Sequence, residues 1–193
     1  MTNYADLLPY LIPELTGCSS NVITQRIKTT VLDFCTRSGA YWADLTAIDI
    51  VAEQSAYTLT APASTKIDRV AGVVLNDVNL ETTKYEVVDD ASGWTLTLDD
   101  EPQAASTGGL EVTVVVLPLI TATSIPAYLM DRWNMKFCAG VKANLMLMKQ
   151  KPWTDRELAL QYMREYNAGI AEARNLTMKG MKNHSLRVTI PSF

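Results

Sequence analysis

The run Lys151-Pro152-Trp153-Thr154-Asp155 constrains this chain more than any other, because it sits between two long segments of helical periodicity. Upstream, Leu129, Trp133, Phe137, Val141, Leu145 and Met148 recur at helical spacing, and Pro126 fits the first turn, where its missing N–H is harmless. Lys149 and Lys151 complement the negative end of that helix, and Pro152 stops it. Downstream, Thr154 reads as an N-cap and Glu157 as its N3 partner in a capping box, with Trp153 and Leu158 as the hydrophobic staple. That second helix presents Leu158, Tyr162, Tyr166 (or Glu165), Ile170, Ala173 and Leu176. A connection this short leaves an antiparallel hairpin as the geometry for the two helices. Pro152, Trp153, Thr154 and Glu157 are therefore structural corner residues, with Trp153 packed.

The hairpin needs something to cover its apolar face. Residues 21–38 supply a candidate: Ile23, Ile27, Val31, Phe34, Cys35 and Ser38 share one helical face, Ser20 or Asn21 caps the start, and Gly39 suits the end. Before it, Tyr4, Leu7, Leu8, Leu11 and Ile12 predict a short helix or two, broken by Pro9 and Pro13. Ala139, Gly140 and Ala143 form a small-residue patch where another backbone could approach closely.

Between 47 and 118 the period changes from helical to strand-like. AIDIVA, SAYTLTAP, IDRVAGVVLNDVNL with its Asn-Asp turn, KYEVV, WTLTL and LEVTVVVLPLI predict six strands joined by short turns. Gly108-Gly109 reads as a loop before the last of them. The expected fold class is α+β: a helical bundle, formed by the N-terminal helix and the C-terminal hairpin, interrupted by an inserted antiparallel β-sandwich or barrel and followed by an extended tail. The expected domains are 1–46 with 119–178 (helical), 47–118 (β) and 179–193 (tail). In the tail, SLRVTI alternates like a strand with no neighbour in sequence to pair with, so it would add to the chain's own sheet or to a partner's.

Charge is segregated along the chain. Residues 1–46 carry net −1, residues 47–118 net −9 and residues 119–193 net +6. Such polarity suits different partners on different sides, although solvation of each block explains it equally well. With 193 residues the chain can bury roughly 70% of its unfolded surface, so no metal or disulfide is needed for stability. Cys18, Cys35 and Cys138 are odd in number and widely spaced, and the latter two lie in apolar helical patterns as small hydrophobes. MTNYADLLPYLIPEL lacks a basic run, so no signal peptide is expected, and no apolar stretch is long enough for a membrane span.

Catalytic signals are sparse. His184 is the single histidine and lies in a basic segment. Asp89-Asp90 and Asp99-Asp100 fit turn chemistry better than a calcium loop, which needs alternating ligands around a glycine. No phosphate-binding glycine loop or nucleophile elbow occurs. No enzyme activity, metal or cofactor is expected. The acidic overall charge and dispersed Lys and Arg argue against sequence-specific DNA binding.

Several phrases taken together carry a resemblance. FCTRSGAYW closes the first long helix, AIDIVAEQSAYTLTAP opens the strands, IPAYLMDRWNMKFCAGVKANLMLMKQKPWTD returns to helix, and REYNAGIAEARN leads to RVTIPSF. The chain resembles the head-to-tail connector (adaptor, or head-completion) proteins of tailed bacteriophages over nearly its whole length. That resemblance implies a virion protein of the head–tail neck, assembled in the host cytoplasm. It implies a ring, commonly of twelve copies, bound below the portal protein, extending the DNA channel and offering a platform to tail or nozzle proteins. Genomic DNA would pass through the lumen without sequence-specific binding, and an acidic insert facing the lumen would keep it sliding. The tail would dock on the portal through Arg187, Val188, Ile190 and Phe193, with charged contacts from Lys179 and Lys182. No membrane is involved. The competing expectation is a soluble binding module whose β domain holds a glycan or peptide on Tyr57, Tyr85 and Trp94, although these aromatics also suit cross-strand core pairs.

Overall fold

The computed structural model describes residues 1–90 and 93–183, the last five of these as backbone only. The chain divides into two compact units, Met1–Ala40 with Pro118–Phe193, and Tyr41–Leu117. The architecture is mixed α+β, with the helices in one unit and two larger antiparallel sheets in the other.

The helical unit begins with strand β1 (Thr2–Asn3), a 3-10 turn at Tyr4–Leu7, helix α1 (Leu8–Leu11) and a second 3-10 turn at Ile12–Glu14. Helix α2 (Ser20–Ser38) follows and ends at Gly39, whose φ of 63° is the left-handed conformation that glycine adopts without strain. Its N-cap is Ser19, one residue earlier than the expected cap, and the Ser19 side chain makes no capping bond. The buried face of α2 contains the expected residues plus Thr30. After the β unit, strand β10 (Ser124–Ile125) pairs antiparallel with β1, fixing the N-terminus beside the start of helix α3 (Ala127–Met146). Pro126 is the N-cap of α3. Helix α4 (Arg156–Asn183) completes the unit.

Side-chain contacts fix the direction of each helix. Gly140 of α3 meets Tyr166 of α4, and Gly169 of α4 meets Lys136 of α3, so the pair is antiparallel. Phe34 of α2 packs on Phe137 at 5.0 Å between ring centroids, on Trp133 at 5.5 Å and on Tyr166 at 6.1 Å. Edge-to-face and tilted rings at these separations are the favoured aromatic geometry. Three helices thus share one core, with Leu7, Leu11 and Leu15 of the N-terminal segment also buried. The small patch at Gly140 admits the side chains of Thr30 and Tyr166 rather than a backbone.

The β unit holds strands β2 (Trp42–Asp44), β3 (Ile48–Ile50), β4 (Ala56–Leu59), β5 (Thr65–Leu75), β6 (Val78–Asn79), β7 (Tyr85–Asp90), β8 (Gly93–Leu98) and β9 (Ser106–Pro118). One sheet runs β2-β9-β5-β6, and β3 also pairs with β9; the other runs β4-β8-β7. The predicted Asn-Asp turn joins β5 to β6, with φ of 47° at Asn76 and 65° at Asp77, the primed-turn pattern of tight hairpins.

Several expectations need correction. The β unit starts at Tyr41 rather than 47, because β2 pairs Trp42 with Val115 and Asp44 with Thr113. Gly108-Gly109 lies inside β9 rather than before it, at a register shift where the Gly108 N–H donates to Asp49 Oδ1 at 2.7 Å. Helix α3 ends at Met146, so Lys149 and Lys151 lie beyond it and Pro152 does not terminate it. Ala159 and Thr177 hold the buried ends of the α4 face; Leu158 is only partly buried and Leu176 is exposed. Helix α4 continues through 183, five residues into the segment expected to be extended. The strand expected in SLRVTI, and His184, lie outside the described residues.

Candidate functional site

The helix corner is built differently from its sequence reading. Asp155, not Thr154, is the N-cap of α4: its Oδ1 accepts from the Leu158 N–H at 3.0 Å, and its carbonyl accepts from Ala159 N–H at 3.0 Å. Leu158 is therefore N3, and no capping box with Glu157 forms. Thr154 is unavailable for capping because its hydroxyl serves the turn. It donates to the Met148 carbonyl at 2.5 Å and accepts from the Lys151 N–H at 3.0 Å. The Asp155 N–H donates to the Met146 carbonyl at 3.2 Å, joining the start of α4 to the end of α3. Pro152, Thr154 and Glu157 are exposed, whereas Trp153 is partly buried. The corner packs over Gly17, where a Cβ would lie 3.8 Å from the Pro152 ring and 4.0 Å from Trp153 Cζ3. The buried Trp153 Nε1–H has no hydrogen-bond partner among the described residues.

Beside the corner lies a polar cluster that the sequence reading missed. Lys142, in the C-terminal third of α3, has a side chain only 7% exposed. Its Nζ donates to Glu14 Oε1 at 2.5 Å and lies 5.1 Å from the centre of the Tyr162 ring. The Tyr162 hydroxyl donates to Glu14 Oε2 at 2.5 Å. Burial pushes the Glu14 carboxyl up, but the hydrogen bonds from Lys142 and Tyr162 and the Lys142 charge outweigh it, so Glu14 titrates below the usual carboxylate range. Tyr162 is pushed up to about 12, first by its hydrogen bond to Glu14 and then by burial. A lone lysine between Val141 and Ala143, in an otherwise apolar run, was the available signal: a buried ammonium requires a carboxylate partner.

A second cluster joins α2 to α4. The Tyr166 hydroxyl lies 2.8 Å from both the Thr30 carbonyl oxygen and Asp33 Oδ2 and shares its proton between them. Burial, then the hydrogen bond to Asp33, raises the Tyr166 pKa. Arg37 pairs with Asp33 at 3.3 Å and donates to Asn167 Oδ1 at 2.9 Å. Next to Arg37 a groove of about 720 Å³ runs along α4, past Asn167, Ile170, Arg174, Asn175 and Met178.

In the β unit, Tyr57, Tyr85 and Trp94 occupy one face of the β4-β8-β7 sheet. Tyr57 is opposite Leu96, Tyr85 opposite Leu98, and Trp94 lies between Leu59 and Asp89. Leu96 and Leu98 are buried and Tyr57 is 3% exposed, so this is the core face rather than an exposed stacking platform. The Tyr57 hydroxyl donates to the Gln54 carbonyl at 2.8 Å. A cleft of about 510 Å³ between segments 44–48 and 58–62 is lined by Asp44, Thr46, Thr58 and Thr60, and by none of the three aromatics.

No protein-family model matches the chain, and no curated protein matches it.

Lys179 and Lys182 fall within α4, but their side chains, like all of Arg187, Val188, Ile190 and Phe193, lie outside the described residues. Among the described residues, no three His, Cys, Asp or Glu side chains lie close enough to hold a metal ion, and no helix is long and apolar enough to cross a membrane. Asp99 and Asp100 follow β8, where the Asp99 N–H donates to the Lys84 carbonyl at 3.1 Å and Asp100 pairs loosely with Lys84 at 3.7 Å.

Proposed function

We propose that this chain is a structural virion protein, a head-to-tail adaptor of a tailed phage that assembles as a ring below the portal protein. The observation that carries this reading is where the resembling phrases fall. FCTRSGAYW spans the end of α2 and the exit into the β unit, AYTL is β4, Pro126 caps α3, and Lys-Pro-Trp is the corner between α3 and α4. These phrases mark the joints of a helical unit with a β insertion, the layout on which the resemblance rests. The ring extends the DNA channel at the neck and carries tail or nozzle proteins, and the C-terminal residues dock on the portal.

Polarised charge supports the same reading. Tyr41–Leu117 carries thirteen acidic and three basic residues, net −10, and the remaining residues carry eight acidic and fourteen basic, net +6. A subunit with opposite charge on its two units offers different faces to different neighbours and repels DNA from the acidic one. The test is co-migration of the purified chain with the portal protein encoded in the same genome. Deleting residues 184–193, beyond α4, should abolish co-migration and leave the circular dichroism unchanged. Undiminished binding by the deletion would remove the tail from the docking interface.

A further inference from the structure

The groove beside Arg37 and the outer edge of the smaller sheet are complementary in charge and chemistry. Ile170 forms the apolar floor of the groove, Met178 is 49% exposed at one end, and Asn167 and Asn175 are polar flanks. Arg174 makes no ion pair among the described residues, and Arg37 shares its charge with Asp33. The acidic side chains of α4, Glu165 and Glu172, fall on the opposite flank of the helix by its 3.6-residue period. The groove is thus a basic strip with an apolar centre.

Strand β7 has the matching pattern. It is an edge of the β4-β8-β7 sheet, so among the described residues one side of its backbone has no neighbouring strand in that sheet. Its outward face alternates Glu86, Val88 and Asp90, with Val88 42% exposed, while Val87 and Tyr85 face the core with Leu96 and Leu98. An exposed apolar side chain between two acids is what an apolar floor beside two arginines would accept.

We infer that the α2–α4 groove is a docking site for the acidic edge strand β7 of a second copy of this chain. The contact is heterologous, groove to strand, so it repeats from copy to copy and closes into a ring when the rotation allows. The inference rests on the ring reading above and names the surfaces that would join its subunits. The net charges of +6 and −10 on the two units favour this pairing over groove-to-groove or strand-to-strand contacts.

The test is sedimentation velocity of the full chain in low and high salt, with Arg174→Glu, Glu86→Lys and the double variant. Wild type should self-associate in low salt and dissociate in high salt. Each single variant should weaken association about tenfold or more, and the double variant should recover most of the loss, because the opposite charges are restored with their positions exchanged. Circular dichroism should be unchanged in all three. Association unaffected by the single variants, or no recovery in the double, overturns the docking site, and rings still formed on the portal would leave the adaptor reading standing. A wild type that stays monomeric in low salt also overturns it. So do variants that lower the melting temperature without changing sedimentation, since they would place the charge pair within one chain.

Discussion

Gly140→Ala should destabilise the helical unit, whereas Gly169→Ala should not, although both replace a buried glycine inside a helix. At Gly140 a new Cβ would lie 2.6 Å from Thr30 Cγ2, 2.6 Å from Tyr166 Cδ2 and 2.7 Å from Tyr166 Cε2. The Tyr166 ring cannot swing aside, because its hydroxyl is held at Thr30 and Asp33 and its face packs on Phe34. Relief therefore requires α2 or α4 to move. Overpacking of this kind costs ~1–3 kcal/mol, against ~1 kcal/mol gained from alanine's helix propensity. The net loss should reach up to about 2 kcal/mol, or as much as ~4–8 °C in melting temperature for a chain of this size. At Gly169 the new Cβ would meet Lys136 Cγ at 2.7 Å and Cδ at 2.9 Å, atoms of a flexible, partly exposed side chain, and Lys136 Cβ at 3.0 Å. A rotamer change clears Cγ and Cδ, the Cβ contact needs the helices to part by only a few tenths of an ångström, and the propensity gain of ~1 kcal/mol offsets that shift, which leaves the variant near neutral. Urea unfolding followed by far-UV circular dichroism reads both. If the two variants shift in the same direction, or Gly140→Ala is the more stable, the close packing of Tyr166 against Gly140 is wrong.

Glu14→Gln should cost about 2–3 kcal/mol by leaving the Lys142 ammonium buried without its counter-charge, somewhat below the ~3–5 kcal/mol of a fully buried pair because Glu14 is 41% exposed. Glu14 titrates low in the fold, so its contribution is present above the ordinary carboxylate value and fades as pH falls through the depressed one; the Gln variant should have a flatter acid limb in a pH–stability profile. Tyr162 has the opposite sign: its contribution is full below the ordinary tyrosine value and is lost as pH rises through about 12, so Tyr162→Phe should soften the alkaline limb. Burial pushes Cys35 up to about 12 and Cys138 up to about 11, so only the partly exposed Cys18 should react quickly with a thiol reagent in the native state; a second fast thiol would contradict the packing of α2 and α3. Trp153→Ala should cost about 2 kcal/mol, less than the ~3–5 kcal/mol of a fully buried tryptophan, and a near-neutral result in the same urea assay would mean the corner does not brace the 15–18 loop.

Features written in local sequence were legible, and those set by distant contacts were not. Helical period identified the buried face of α2 nearly residue by residue and the Leu129, Trp133, Phe137, Val141 and Leu145 stripe of α3, though Met148 lies beyond that helix and Met130 and Met146 are buried as well. Strand alternation found the six segments that hold β3 to β9, because side-chain direction repeats every 3.6 or 2 residues whatever surrounds the element. Strands β1, β2 and β10 were missed: each is two or three residues long and exists only because a partner far along the chain pairs with it. The N-cap of α4 shows competition between two suitable residues. Thr154 and Asp155 can both cap, and the capture of the Thr154 hydroxyl by the Met148 carbonyl leaves the role to Asp155. Lys142 and Glu14 lie 128 residues apart, so the lysine's position hinted at a buried partner without identifying it. Arg37 and Arg174 bound one groove because α2 and α4 pack side by side, which neither helix's sequence states. The side chains of the proposed portal contacts fall outside the described residues, and their assignment rests on the resemblance of the tail.

The most direct test of the adaptor reading is electron microscopy of the purified full-length chain mixed with the portal protein encoded in the same genome. The account predicts a closed ring of this chain stacked coaxially on the portal, with a central channel continuous through both. Portal rings imaged without added density at saturating concentrations of a correctly folded chain would contradict it.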